Sequence, residues 1–97
     1  MYRYVSDTEK AIAKAVSFNL FMQAEYPLDA MRESKSSSRW RYDHHVVFTA
    51  DGYYVNAKSG FYHGDGIEFL MKYKGLEYPD AVAMLYAYAT ERASTNK

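Results

Sequence analysis

The sequence predicts a small α+β domain: an N-terminal helix or helix pair, a three-stranded antiparallel sheet, and two C-terminal helices packed on one face of it. Three observations predict this. A capping box opens an apolar helical repeat near the N-terminus, β-branched and aromatic runs flank glycine turns in the middle, and two well-punctuated helix starts follow. With 97 residues, 48% hydrophobic and 25% charged, the chain suits one domain with a single core.

Ser6-Asp7-Thr8-Glu9 has capping-box spacing, in which a hydroxyl and a glutamate three positions later satisfy the amides left open at a helix start. Ile12, Val16 and Leu20 then recur at helical spacing, and Ala11, Ala15, Phe18 and Met22 widen the apolar stripe. Ser17 offers a second cap, which would divide the segment into helices over residues 7 to 16 and 18 to 25, and either form ends before Pro27. Residues 1–31 form this helical segment. Residues 32–39, rich in serine and without periodicity, are expected to be an exposed, flexible loop.

The sheet is expected over residues 40–63. His45-Val-Val-Phe-Thr49 and Tyr53-Tyr-Val-Asn-Ala57 read as a hairpin around Ala50-Asp51-Gly52, with Gly52 in the left-handed position of a three-residue loop. A second turn at Lys58-Ser59-Gly60 returns Phe61 and Tyr62 as a third strand. Two helices are expected over residues 64–90. Gly64-Asp65-Gly66 opens the first, with Ile67, Leu70, Met71 and Tyr73 inward and Gly75 as its terminator. Tyr78-Pro79-Asp80 opens the second, whose stripe is Ala81, Val82, Leu85 and Ala89. Residues 91–97 are polar and are expected to fray.

Composition excludes several chemistries. Without cysteine the chain has neither disulfides nor thiolate metal sites. His44 and His45 are adjacent, so in a strand they point to opposite faces; with His63, Asp43 and Asp65 they make no metal centre, and no cofactor is expected. The serines sit in the expected loop or at helix caps, marking no nucleophile. Asp65 and Glu68, one helical turn apart, suit a cap better than a Mg²⁺ site, and Gly64-Asp65-Gly66 lacks the lysine of a phosphate loop. The expectation is therefore a non-enzymatic protein. No stretch approaches the ~20 apolar residues of a membrane span, and the first residues do not read as a signal peptide, so a cytoplasmic protein is expected.

Twelve basic residues balance twelve acidic ones, so any polyanion surface must be local. Residues 32–41 provide one candidate: Arg32, Lys35, Arg39 and Arg41 against Glu33, four positive less one negative, with Trp40 and Tyr42 among them. Cations interleaved with rings suit single-stranded nucleic acid, charge tracking phosphate while bases stack on aromatics. The same alternation fits a strand that buries Trp40 and Tyr42 while its arginines are solvated. Lys58, Lys72 and Lys74 add to the cluster only if the fold brings them to its face. Eleven tyrosines and five phenylalanines supply both core area and stacking faces.

From about Trp40 to Leu85 the chain also resembles the zinc-binding domain at the front of bacterial DNA primases. Phe61-Tyr62-His63 runs straight into Gly64-Asp65-Gly66-Ile67-Glu68-Phe69-Leu70-Met71, as though that family's two-cysteine knuckle had been removed. Tyr42-Asp43-His44-His45 stands where its Cys-Pro-x-His pair would be, and Tyr78 followed by Asp80-Ala81-Val82 matches its last helix. The resemblance implies a zinc-less primase-type scaffold of the kind found in mobile elements and phages, whose relatives touch template DNA with the sheet. It does not imply primer synthesis. The expected function is a nucleic-acid-binding accessory domain, favouring single-stranded DNA, with Arg39, Trp40, Arg41, Tyr54 and Lys58 as the contact surface. The alternative is a protein-interaction module, such as a phage-encoded inhibitor of a host nucleic-acid enzyme or of a defence complex in the anti-CRISPR manner. An aromatic sheet patch without a surrounding basic rim would favour the alternative.

Overall fold

The computed structural model describes residues 5–34, 37–58 and 60–95. Helices α1 (Asp7–Ala15) and α2 (Phe18–Glu25) lead into β1 (Ala30–Arg32), β2 (Ser38–Trp40), β3 (Val46–Thr49), β4 (Gly52–Ala57) and β5 (Gly60–Gly64), and α3 (Gly66–Tyr73) and α4 (Tyr78–Thr95) complete the chain. The strands form one antiparallel meander in chain order. The α+β class holds, but the sheet has five strands among the described residues rather than three, and it begins at Ala30 rather than Trp40.

The two additional strands are three residues each, too short to display alternation, and they border the serine-rich stretch. Ser38 is fully buried, and its hydroxyl donates to Asn19 Oδ1 at 2.5 Å. A residue type that reads as loop is thus satisfied inside the core. The flexible loop expected over residues 32–39 contracts to a turn in which the Ser37 carbonyl accepts from the Glu33 and Ser34 amides, both at 3.1 Å. Lys35 lies outside the described residues, as does Ser59 in the β4–β5 turn.

At the N-terminus the capping box forms as spaced: Ser6 Oγ accepts from the Glu9 amide at 3.1 Å, and Glu9 reaches back to the Ser6 amide at 3.4 Å. The helix breaks where Val16 turns extended, and the Phe18 amide donates to the Ala50 carbonyl of the hairpin loop at 3.2 Å. Ser17 occupies the cap position, but its side chain makes no capping bond. The break resets the helical phase. Phe18, Phe21 and Met22 become fully buried, whereas Leu20, in phase with α1 on paper, is 50% exposed.

The helices stack behind one face of the sheet in two tiers. Helix α2 lies against β1, β3 and β4 and α3 against β4, while α4 packs mainly on α1 and α3. Of the two C-terminal helices it is α3 that packs mainly on the sheet, so the expectation that both pack there holds only in part. Asp65 caps α3 by accepting from the Glu68 amide at 2.8 Å, and Gly75, at φ +71, ends it in the left-handed conformation. Helix α4 continues to Thr95, through most of the expected frayed tail; residues 96 and 97 lie outside the described ones.

Phe69 centres the core, its ring 4.9–5.4 Å from those of Phe18, Trp40, Phe48, Tyr53 and Tyr73. An ion pair clamps the edge of this cluster: Lys74 Nζ lies 2.8 Å from Asp29 Oδ2 and 4.2 Å from the Tyr26 ring centre. Both partners are largely shielded from water, so the pair joins the end of α3 to the α2–β1 connection and removes Lys74 from any surface role.

Tyr53 is fully buried, and its hydroxyl donates to Glu68 Oε2 at 3.3 Å; Tyr62 donates to the other oxygen of the same carboxylate. Burial, reinforced by Glu68, pushes the Tyr53 phenol far above its ordinary value of 10.0. The hydrogen bond to Glu68 raises Tyr62 as well. A phenol whose folded pKa is raised contributes stability that is whole below the unfolded value and is lost as pH rises towards the folded one. Denaturant midpoints of the wild type should hold to about pH 10 and fall beyond it. The fall should be clearly shallower in Tyr53→Phe, and an equal fall in both proteins would contradict the assignment.

Candidate interface on the sheet

Cross-strand register sorts the side chains onto two faces. Met31 pairs with Arg39, Arg39 with Val47, Val47 with Tyr54 and Tyr54 with His63, so these five form one row on the same face. The neighbouring rows, including Ser38, Phe48 and Tyr53, point into the core beneath the helices. Phe61, two residues before His63, belongs to the outer face and is 66% exposed; Met31 is 46% exposed. No helix covers this face among the described residues.

The outer row is aromatic at one side and apolar along its middle. The Tyr54 ring lies 4.5 Å from His63 and 5.2 Å from Phe61, tilted by 36° and 37°. Its ionic groups are largely engaged. Arg39 grips the Glu33 carboxylate with two bonds, at 2.9 and 3.1 Å, and also donates to the His44 carbonyl. His63 Nε2 stands 3.5 Å from Asp51 Oδ2, and Thr49 donates to Asp51 at 2.7 Å, which holds that carboxyl below its usual range.

Arg41, His44, His45 and Lys58 gather at one end of the sheet, in the β2–β3 and β4–β5 turns, and all four are exposed. Asp43 stands among them, its carboxyl held low chiefly by the His45 amide, which donates at 3.0 Å. The basic rim is therefore one-sided.

Of the predicted contact residues, the fold brings Arg39 and Tyr54 into one row and sets Arg41 and Lys58 in the turns at one end of the sheet. Trp40 is separated from them. As the neighbour of Arg39 in a strand it points the other way, packing 5.2 Å from Phe69 and 4.9 Å from Tyr73. Tyr42, in the turn, is 70% exposed. Lys72 lies over the rings of Tyr62 and Tyr73 on the helix side, so neither it nor Lys74 reaches the outer face. Sequence reasoning missed Met31, Val47, Phe61 and His63, all of which follow from strand parity once β1 and β2 are recognised.

A concavity of about 560 Å³ lies where α1 meets α3, lined by Lys10, Lys14, Asp65, Glu68, Lys72 and Tyr78 among others. Its charges alternate in sign, and its two carboxylates are committed to the α3 cap and to the tyrosine hydroxyls. Among the described residues there is no group of three or more His, Asp or Glu able to hold a metal ion. No helix among them is long and apolar enough to cross a membrane.

The geometry defines a small α+β domain with its helices on one side of a five-stranded meander and an aromatic face on the other. No family model matches the chain, and neither a curated protein nor a solved structure shows significant similarity to it.

Proposed function

We propose that the chain is a non-enzymatic protein-interaction domain that docks its partner on the outer face of the sheet. The observation that carries this is the apolar and aromatic set Met31, Val47, Tyr54 and Phe61 on one face, where Arg39, between Met31 and Val47, and His63, beside Tyr54, already have carboxylate neighbours. Aromatic and methionine side chains are enriched in protein interfaces, and covering a paired charge costs less than covering an unpaired one. Single-stranded nucleic acid instead needs cations available along the path of the phosphates. Here the exposed basic groups of the sheet collect at one end, and the chain as a whole carries no net charge. A host nucleic-acid enzyme or defence complex is the partner class that the primase-like features suggest.

The test compares wild type with Met31→Ala plus Tyr54→Ala in capture from a nuclease-treated host lysate, with circular dichroism verifying the fold. Retention by wild type and at least tenfold weaker retention by the double variant are expected, since interface anchors cost about 2 kcal/mol or more on truncation. A labelled single-stranded oligonucleotide provides the opposing outcome. If it binds with steep salt dependence and Arg41→Ala plus Lys58→Ala abolishes binding, nucleic-acid recognition replaces the protein reading.

A further inference from the structure

We propose that β5 is a self-pairing edge: two copies of the chain join β5 to β5 antiparallel about a two-fold axis, making one continuous ten-stranded sheet. The two edges of the meander are unlike. β1 is three residues long, ends in Arg32 and turns at once into the bonded Glu33–Ser37 corner, which is how edges are ordinarily blunted. β5 is five residues long and contains no Lys, Arg, Asp, Glu or Pro. Four of its five residues are exposed, including Phe61 and Tyr62, and among the described residues its one strand neighbour is β4.

Three features fit a second copy as occupant. The first is parity. Pairing centred on Tyr62 sets Tyr62 opposite its own symmetry mate and Phe61 opposite the partner's His63, on the face where Tyr54 already packs against both residue types at 5.2 and 4.5 Å. The aromatic packing within one sheet would then continue across the axis.

The second is charge. Exposed Lys58 precedes β5 and exposed Asp65 follows it, so an antiparallel pair brings each lysine towards the other copy's aspartate, twice by symmetry. The third is the absence of net charge, which leaves no long-range repulsion between copies. A five-residue seam is small beside standard interfaces, so the dimer is expected in the micromolar range. The seam uses the β5 backbone edge and the docking strip uses the sheet face, with Phe61 common to both.

The absence of cysteine makes the test direct. Residues facing each other across an antiparallel pair have Cα atoms about 4.5–5.5 Å apart, within disulfide reach. Tyr62→Cys, the only thiol in its chain, should therefore give a covalent dimer under mild oxidation, whereas Met31→Cys, exposed at the opposite edge, should give at least tenfold less at equal concentration. Sedimentation of the unmodified protein should show a monomer–dimer equilibrium. Phe61→Lys, at a site already 66% exposed, should shift it at least tenfold towards monomer. A monomer at every concentration up to about 1 mM, above the range expected for so small a seam, overturns the proposal. So does a dimer indifferent to Phe61→Lys, or equal cross-linking by the two cysteine variants. Because purified protein alone is used, these outcomes are separate from the capture experiment.

Discussion

Phe69→Ala should cost about 3–5 kcal/mol, a large part of the roughly 5–15 kcal/mol that holds a domain folded. The ring is wholly buried and borders five others, from α2, β2, β3, β4 and its own helix, so truncation leaves a void that no single element can close. Each kcal/mol is worth about 4–8 °C in a domain of this size, so the melting temperature should fall by at least about 12 °C. Phe69→Leu keeps much of the volume but gives up the edge-to-face contacts and should cost about 1–2 kcal/mol. A loss below about 1 kcal/mol for the alanine variant would mean that the ring is not the hub of the core.

Phe69 also marks how far the core could be read in the chain. Helix α3 carries Ile67, Phe69, Leu70 and Met71 in close succession, spread over about half of its circumference, so spacing alone does not rank them. The structure buries Phe69 fully and leaves Met71 40% exposed. The signals that did read through are local ones. The Ser6–Glu9 box, the break before Phe18, the Asp65 cap and the turn at Gly75 each depend on residues within a few positions of one another. What stayed hidden depends on long separations: Ser38 against Asn19, Lys74 against Asp29, and the junction of Gly52 with Gly64.

The candidate site follows the same division. Arg39, Trp40 and Arg41 form one cluster along the chain, yet strand parity sends Arg39 and Trp40 to opposite faces, and Arg41 lies beyond the strand end. A sequence cluster becomes a surface only if its backbone is irregular or if every second residue is counted. Counting every second residue from Arg39, and then across the ladder, leads to Val47, Tyr54 and His63. That row is less basic than the linear cluster because Glu33 and Asp51 come with it. Charge read along the chain overstated the cationic character of the face.

Gly52→Ala should be as costly as loss of the central ring, about 3–5 kcal/mol, although it adds a single methyl group. Two constraints coincide at this residue. Its φ of +148° lies in a region that L side chains rarely adopt, and a Cβ built there would meet the Gly64 carbonyl oxygen at 2.1 Å and Asp65 Cα at 2.9 Å. Both obstacles are backbone, so no rotamer change relieves them. The hairpin is tighter than the three-residue loop predicted from sequence: Thr49 pairs directly with Gly52, leaving Ala50 and Asp51 as the connection. This draws the start of β4 against the end of β5, where α3 begins. Relief of the clash would have to move β5 and the α3 cap together, and with them Phe61 and His63. Gly60→Ala provides the control, since nothing lies within 4 Å of a Cβ at that position, and its effect should stay within about 0.5 kcal/mol. Equal denaturant midpoints for the two alanine variants would show that β4 and the β5–α3 corner do not meet as closely as described. A large gap between them would locate the strictest backbone requirement of the fold at the corner that carries the proposed edge.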